Sequence, residues 1–388
     1  MVFKRFRKTP LAWLQVTREK TRLAVALAGI AFADILMFVQ FGFKDALFEA
    51  SVRPHSTFEA DLVVVNSQFE TFFSSKSFSR ERLYQVRGFE GVESVSYLYA
   101  GTADWMNPET RIARPILVFG TDPANPGFNL PEVDKNIDRL KMLNRVLFDR
   151  AGRPEYGIVP IFEAEGTVET EVNDRLIEVV GMFSLGASFT ADGTAIVSDS
   201  TFLQIFPERS VDRIEVGLVK VKSNADLERV KSGLIEQLSD GVRVLTVEEF
   251  ANLEKAYWAN STAIGFIFSL GAAVGFIVGI VIVYQILYTD VSEHLPEYAT
   301  LKAMGYTDGY LIEVLIQESL LLAVLGFLPS FFIASGLYSL AKGATLLPIA
   351  MTVNRAVLVS ILTIIMCTAS GIVAMRKLQT ADPADIFG

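Results

Sequence analysis

Residues 263–288 read AIGFIFSLGAAVGFIVGIVIVYQILY, a run without one charged side chain. At about 1.5 Å of rise per residue, a helix of this length more than covers a hydrocarbon core about 30 Å thick. Three further stretches share the property: Leu23–Phe43, Ser319–Leu340 and Ala356–Met375. Only the first holds an Asp, Glu, Lys or Arg, and that residue is Asp34. One span therefore stands near the N-terminus and three gather in the last third, with a polar body over residues 44–258 between them. The spacing predicts a membrane protein of four transmembrane α-helices in a 1+3 order, carrying one large extracytoplasmic α+β domain.

Basic residues set the orientation. Lys4, Arg5, Arg7, Lys8, Arg18, Lys20 and Arg22 precede the first span, and Arg376 and Lys377 follow the last. The expected layout is a cytoplasmic segment 1–22, a first span 23–43, a periplasmic domain 44–258 and a second span 263–288. A cytoplasmic loop 289–314, a third span 319–340, a short periplasmic loop 341–355, a fourth span 356–375 and a cytoplasmic tail 376–388 complete it. This is a multi-pass protein of the inner (plasma) membrane with both termini in the cytoplasm. A cleaved signal peptide is the competing reading of the first span. Its apolar run is longer than a signal peptide needs, and Lys44-Asp45-Ala46 offers no small-x-small cleavage site, so the span is retained.

Composition excludes several functions. A net charge of −9 argues against nucleic acid as a partner, and the one cysteine, Cys367, lies within the last span and has no second cysteine to pair with. The two histidines, His55 and His294, stand far apart, so no metal site is expected. No Gly-x-x-x-x-Gly-Lys-Ser/Thr, His-Glu-x-x-His or Gly-x-Ser-x-Gly occurs. No catalytic residue is expected, and the chain does not read as an enzyme.

The helices beside the outer domain are expected to run on past the membrane as stalks. After Phe43, helical spacing continues through Lys44–Ala50 until Arg53-Pro54, where the proline disfavours helix before it. At the other border Thr246-Val247-Glu248-Glu249 matches a capping box, and one unbroken helix is expected from there to Tyr288. Within the domain, strands are expected at Asp61–Val65, Ser94–Tyr99, Arg175–Phe183, Thr194–Ser198 and Arg243–Val247. Helices are expected around Ser79–Val86 and Asn224–Leu238. The order helix, Gly-Val, strand occurs twice, at Gly91-Val92 and Gly241-Val242, suggesting two similar porter-like halves. Residues 122–209, punctuated by Pro and Gly, read as inserted β-rich material.

Three features carry more specific information. The loop after the second span contains a short helix opened by Pro296 and ended by Gly305, with Tyr298, Leu301 and Met304 on one stripe between Glu297 and Lys302. It is either a hairpin on the membrane surface or a docking element. Gly271, Gly275 and Gly279 recur every fourth residue, a bare stripe that permits close helix approach, either within one chain or at a dimer seam. Asp34 lies near mid-membrane, where an ionisable group is costly; it either binds the bundle together by hydrogen bonds or serves proton coupling.

The loop residues Glu297 and Leu301-Lys302-Ala303-Met304-Gly305, with Gln317-Glu318-Ser319-Leu320-Leu321 after them, resemble the signature of FtsX/MacB-type ABC permeases. The ending Asp382-Pro383-Ala384-Asp385 and the 1+3 layout are similar to that family too. The wording of Val283–Gly305 is most similar to the DevC branch, from cyanobacterial DevBCA-type exporters, and the sequence departs from the common family pattern at Tyr298 and Asp308. The resemblance implies a permease subunit of a mechanotransmission (type VII-like) ABC exporter that binds no cofactor itself. ATP and Mg would bind a separate, DevA-like ATPase subunit docked on Glu297, Tyr298, Leu301, Lys302, Met304 and Gly305. Further implied partners are a second copy of the chain, membrane lipids, a DevB-like membrane-fusion adaptor and, indirectly, a TolC-like outer-membrane channel. The cargo would be a glycolipid or another envelope molecule. A second implied possibility is an FtsX-like, non-transporting regulator of a periplasmic cell-wall hydrolase.

Overall fold

The computed structural model describes Trp13 and residues 18–380, apart from 187, 189–190 and 239–240; for 302, 303, 308 and 375–380 the backbone alone is described. The basic N-terminal run before Arg18, the side chains of Lys302, Asp308, Arg376 and Lys377, and the ending Asp382–Asp385 therefore lie outside the described residues. The chain falls into two compact units: a helical one, Met1–Ala46, Ile264–Thr345 and Ile349–Gly388, and a sheet unit, Leu47–Ala263 with Leu346–Pro348.

In chain order the main helices are α1 (Lys20–Ser51), α2 (Glu81–Arg87), α3 (Leu227–Leu238), α4 (Val247–Ala256), α5 (Ala263–Glu293), α6 (Leu295–Ala303), α7 (Asp308–Thr345) and α8 (Val353–Thr380). Among the described residues four of them, α1, α5, α7 and α8, are long and apolar enough to cross a membrane. α1 continues without interruption to Ser51, before Pro54. The border ahead of α5 differs from expectation. Instead of one helix from Thr246 to Tyr288, α4 ends at Ala256, a π-turn occupies Tyr257–Ser261, and Thr262 is extended (φ −121°, ψ 159°). The cause is local. Asn260, Ser261 and Thr262 are weak helix formers, and the Thr262 hydroxyl donates to the Trp258 carbonyl at 2.6 Å, a side-chain bond that competes with the backbone ladder.

The sheet unit is built on β1 (Leu62–Asn66), β2 (Phe78–Ser79), β3 (Val92–Met106), β4 (Ala113–Thr121), β5 (Arg145–Asp149), β6 (Val168–Val172), β7 (Arg175–Phe183), β8 (Thr194–Ser198), β9 (Arg213–Ile214), β10 (Val216–Val221) and β11 (Val242–Thr246). Nine of these form one sheet in the order β11-β1-β10-β3-β4-β8-β5-β7-β6, while β2 and β9 pair separately. The first four positions in that order are two interlocked halves. β1-α2-β3 leaves room for β10 between its strands, and β10-α3-β11 leaves room for β1, the split βαβ arrangement. The region 122–209 is not a separate inserted body: β5 to β8 extend the same sheet. The long β3 makes this possible, pairing with β10 through its first half and with β4 from Leu98 to Met106.

Both faces of the sheet are covered, so β1 needs no polar alternation. Leu62 and Val64 face a cluster that includes Leu83 and Val86 of α2 and Val230 and Leu234 of α3. Val63 and Val65 face the opposite cluster, with Phe250 of α4, Phe69, Phe72 and Phe119. The capping box at Thr246 fixes the start of α4. The Thr246 hydroxyl accepts from the Glu249 amide at 3.1 Å, and the Glu249 carboxylate accepts from the Thr246 amide at 2.8 Å.

Inside the phenylalanine cluster sits a buried acid–base pair. The His55 ring lies 4.5 Å from Phe250 and 5.1 Å from Phe72 by centroid, and its Nε2 is 3.8 Å from Glu254 Oε2. Glu254 accepts from the Thr71 hydroxyl, the Phe72 amide (3.2 Å) and the Trp258 indole (3.1 Å). Burial raises the Glu254 carboxyl to about 7, against the pull of those donors, and burial lowers the His55 imidazole to about 3.

The two groups act on stability with opposite sign. A carboxyl raised in the fold stabilises fully below its ordinary 4.5, and the effect is lost as pH rises through 7. A histidine lowered in the fold stabilises above its ordinary 6.5, and the effect is lost as pH falls toward 3. Glu254→Gln removes the first effect and keeps the second. Relative to wild type, the variant should gain stability between about pH 4.5 and about pH 7, by at most about 3 kcal/mol. Denaturant unfolding of the full chain, followed by tryptophan emission at several pH values, measures the difference. A difference that stays level across this window would show that the pair does not titrate with folding.

Candidate functional site

The segment joining α5 to α7 is held from both sides. α5 runs to Glu293 and gives way at His294, whose Nδ1 lies 3.0 Å from the Asp290 carbonyl, and α6 begins at the next residue. α6 closes with a Schellman turn. Gly305 takes the left-handed conformation (φ +94°), and the Tyr306 amide reaches back to the Leu301 carbonyl at 3.1 Å.

The apolar stripe of α6 is turned inward. Tyr298 is buried (3 % exposed) with Val291 of α5 and Leu311 and Leu315 of α7, and Leu301 is half-buried against the same cluster. The chain's own helices therefore cover much of the i, i+3 face on which Leu301 is expected to meet a partner. What projects is the end of the helix. Met304 is 64 % exposed and Tyr306 is 46 % exposed, beside the left-handed Gly305. Glu297 is exposed and lies 3.7 Å from Arg18.

The glycine stripe of α5 is filled within one chain. A methyl group on Gly275 would meet Leu36 at 3.2 Å and then Met37 and the Ala33 carbonyl. At Gly279 it would meet Met366 of α8 and Ala33 at 2.8 Å, and at Gly271 it would run into Gln40. Three glycines thus let α5 lie against α1, and the stripe needs no second copy to cover it.

Asp34 is fully buried where α1, α7 and α8 meet. Ser330 of α7 bonds its Oδ2 at 3.1 Å and Thr363 of α8 its Oδ1 at 2.7 Å. Each hydroxyl also has its own helix's carbonyl in reach, Phe327 at 2.6 Å and Val359 at 2.8 Å. The arrangement is a three-helix fastening, with both carboxyl oxygens engaged.

Two charged clusters escaped the sequence reading. Near the start of α1, Arg22 pairs with Asp290 at 3.2 Å, with Glu293, and with Glu19 at 3.5 Å. Near the opposite end of the spans, Arg355 (6 % exposed) pairs with Asp45 at 2.7 Å, donates to the Ala350 carbonyl at 2.7 Å and lies over the Tyr338 ring. The only sequence signal for either was a charge at the border of a span, which orientation alone explains. Among the described residues no group of three His, Cys, Asp or Glu side chains could hold a metal ion.

The helical unit defines a class: a bundle of helices long and apolar enough to cross a membrane, the second and third joined by a short helix with a buried stripe and an exposed end. Residues 264–383 match the family model described as FtsX-like permease C-terminal. The match covers the last third of the chain, which holds α5 to α8. Two solved structures resemble the chain remotely. One is the periplasmic region of MacB from Actinobacillus actinomycetemcomitans, at 13 % identity, covering 50 % of this chain and 92 % of that one, with a TM-score of 0.37. The other is the extracellular domain of the ABC-type transporter YknZ from Gram-positive bacteria, at 14 % identity, covering 48 % and 98 %, with a TM-score of 0.34. Likenesses this distant carry no argument about function.

The Asp34 fastening has a direct test. Asp34→Asn keeps an acceptor and gains a donor for the same two hydroxyls, so bundle stability should change by less than about 0.5 kcal/mol. Asp34→Leu removes the bonds from α1 to both hydroxyls, leaves them only their own helices' carbonyls, and should cost about 1–2 kcal/mol. Thermal unfolding in detergent, followed by loss of helicity, separates the variants. If Asn is as damaging as Leu, the ionised carboxylate itself is what the bundle needs.

Proposed function

We propose that this chain is the membrane-spanning permease subunit of an ATP-driven ABC exporter of FtsX/MacB type, within the DevC branch. The observation that carries the reading is α6. It is a short helix whose buried stripe grips α5 and α7 while Met304, Gly305 and Tyr306 project from its end, in the region that matches the FtsX-like model. The chain has no phosphate-binding loop, so nucleotide hydrolysis belongs to a separate ATPase subunit docked on that projecting end. Glu297 and Lys302 supply flanking charge.

In this reading both termini and α6 are cytoplasmic and the sheet unit is periplasmic. The working assembly holds two copies of the chain, two ATPase subunits and a membrane-fusion adaptor that leads to an outer-membrane channel. Closure of the ATPases on nucleotide moves α6, and Tyr298 passes the movement to α5 and α7. The membrane spans transmit motion, and the cargo, a glycolipid or other envelope molecule, need not cross the bundle. Neither a catalytic residue nor a bound cofactor is required of this chain.

The docking surface follows from the exposure pattern. Interface energy concentrates in a few apolar anchors, and here these are Met304 and Tyr306. Met304→Asp with Tyr306→Asp should weaken capture of the ATPase subunit by about thirtyfold or more, equivalent to about 2 kcal/mol, and abolish export in cells. Because neither side chain belongs to the buried cluster, thermal stability should hold. Tyr298→Ala should instead destabilise the helical unit. Pull-down of the ATPase at graded concentration measures the first effect. Wild-type capture by the double variant would place the docking surface elsewhere.

A further inference from the structure

Between the first turn of α1, the end of α5 and the start of α7 lies a cavity of about 30 Å³, room for a water molecule or two. Leu23, Leu287 and Leu322 form its apolar wall, and Glu19, Arg22 and Asp290 its charged one. Glu318 of α7 also lines it. Its side chain is 1 % exposed, and neither carboxyl oxygen has a hydrogen-bond partner among the described residues. The adjacent hydroxyl does not help, since Ser319 donates to the Leu315 carbonyl of its own helix at 2.9 Å. Such a carboxylate, left charged without donors, is among the costliest groups a protein can bury.

We propose that this cavity is a proton-binding site in which Glu318 takes up and releases the proton, with water carrying it past Arg22. The inference stands on the membrane bundle alone and holds whether or not the chain docks an ATPase.

The surroundings select the ligand. Asp290 puts a second carboxylate on the same wall, so the ligand must be cationic. A metal ion does not fit. Asp290 is held by Arg22 at 3.2 Å, with the His294 ring 3.6 Å away, and the guanidinium itself lines the cavity. The same guanidinium repels the amine of a lipid or substrate. A proton needs neither room nor further ligands.

The groups that face Glu318 are Glu19, just ahead of α1, Arg22 from α1 and Asp290 from α5, with Glu293 and His294 behind Asp290. From α8, the bare Gly371 lies against Ser319. When Glu318 holds its proton, Arg22 is left to Asp290, Glu293 and Glu19. When the proton leaves, the new carboxylate competes for Arg22 and loosens the ties between α1 and α5. The end of α5 is also the root of α6, so proton occupancy biases the projecting helix.

Dicyclohexylcarbodiimide, an apolar reagent that couples to protonated carboxyls in membranes, tests the site in the full-length chain reconstituted in phospholipid vesicles. Labelled peptides are quantified by mass spectrometry from about pH 5 to about pH 9. Glu318 should be labelled strongly at low pH and at least about tenfold less at high pH, with one midpoint. Asp290→Asn should move that midpoint down by roughly one pH unit, because it removes a like charge and frees Arg22. Replacing choline chloride with sodium or potassium chloride should change nothing. The proposal fails if Glu318 is unlabelled at every pH, or labelled equally at all of them as a permanently neutral structural acid. It fails equally if sodium or potassium, but not choline, protects it, which would make the cavity a metal-cation site. The wild-type profile decides these points even if the Asp290 variant does not fold.

Discussion

In a solvent that offers no hydrogen bonds, the carboxyl of Asp34 turns, among the described residues, to Ser330 and Thr363, and this constraint decides where the first span can lie. α1 is the one span with a charged-type residue at its centre, and polar contacts fix it at three depths. Arg22 ties its start to Asp290 and Glu293 of α5, Asp34 ties its middle to α7 and α8, and Asp45 ties its far part to Arg355 of α8. Apolar packing between membrane helices is weakly directional, because lipid tails are as apolar as the side chains they replace. Polar fastenings add what packing lacks, a fixed rotation and depth. The glycines of α5 then let it lie directly against the stretch of α1 so positioned, from Ala33 to Gln40.

The same division of labour explains α6. A helix of nine residues is too short to hold its conformation alone in water. It is held because Tyr298 and Leu301 are packed on α5 and α7 and because Gly305 satisfies its last carbonyls. Its best apolar residues are used inward, and Met304 and Tyr306, which lie beyond them, are exposed. An element both short and tightly tied transmits displacement with little slack, which is the property a coupling device needs.

How much of this the sequence disclosed depends on whether the information was one-dimensional. The spans were legible because burial in lipid demands apolarity at every position. β7 and β8 were legible at their observed limits because Arg175–Phe183 and Thr194–Ser198 are β-rich runs bounded by turn residues. β3 was read as ending at Tyr99, since Ala100, Gly101 and Ala103 have little strand preference; its second half exists because β4 pairs with it through Met106. The continuous helix before α5 was misjudged because three weak helix formers in a row looked tolerable beside a strong capping box. At α6 the periodicity showed a stripe but not who fills it. The glycine stripe had the same ambiguity. The charge pairs of Arg22 and Arg355 join residues hundreds of positions apart, so no local pattern reveals them.

Asp34 and Glu318 carry the lesson furthest, since the sequence leaves the role of each open. Asp34 sits at the centre of an apolar span and reads either as a fastening or as a proton carrier; Glu318 sits at the edge of one, among the residues that resemble the permease signature. The structure gives Asp34 a hydroxyl for each oxygen, which makes it a fastening whose removal costs stability. Among the described residues Glu318 has no hydroxyl, amide or cation bonded to it, and it lies beside a water-sized cavity with Arg22 and Asp290 on the wall. A buried polar group with its partners in place does structural work, and one without them is poised to bind something. Depth in the membrane sets how costly an acid is, but its hydrogen bonds decide what that cost is used for.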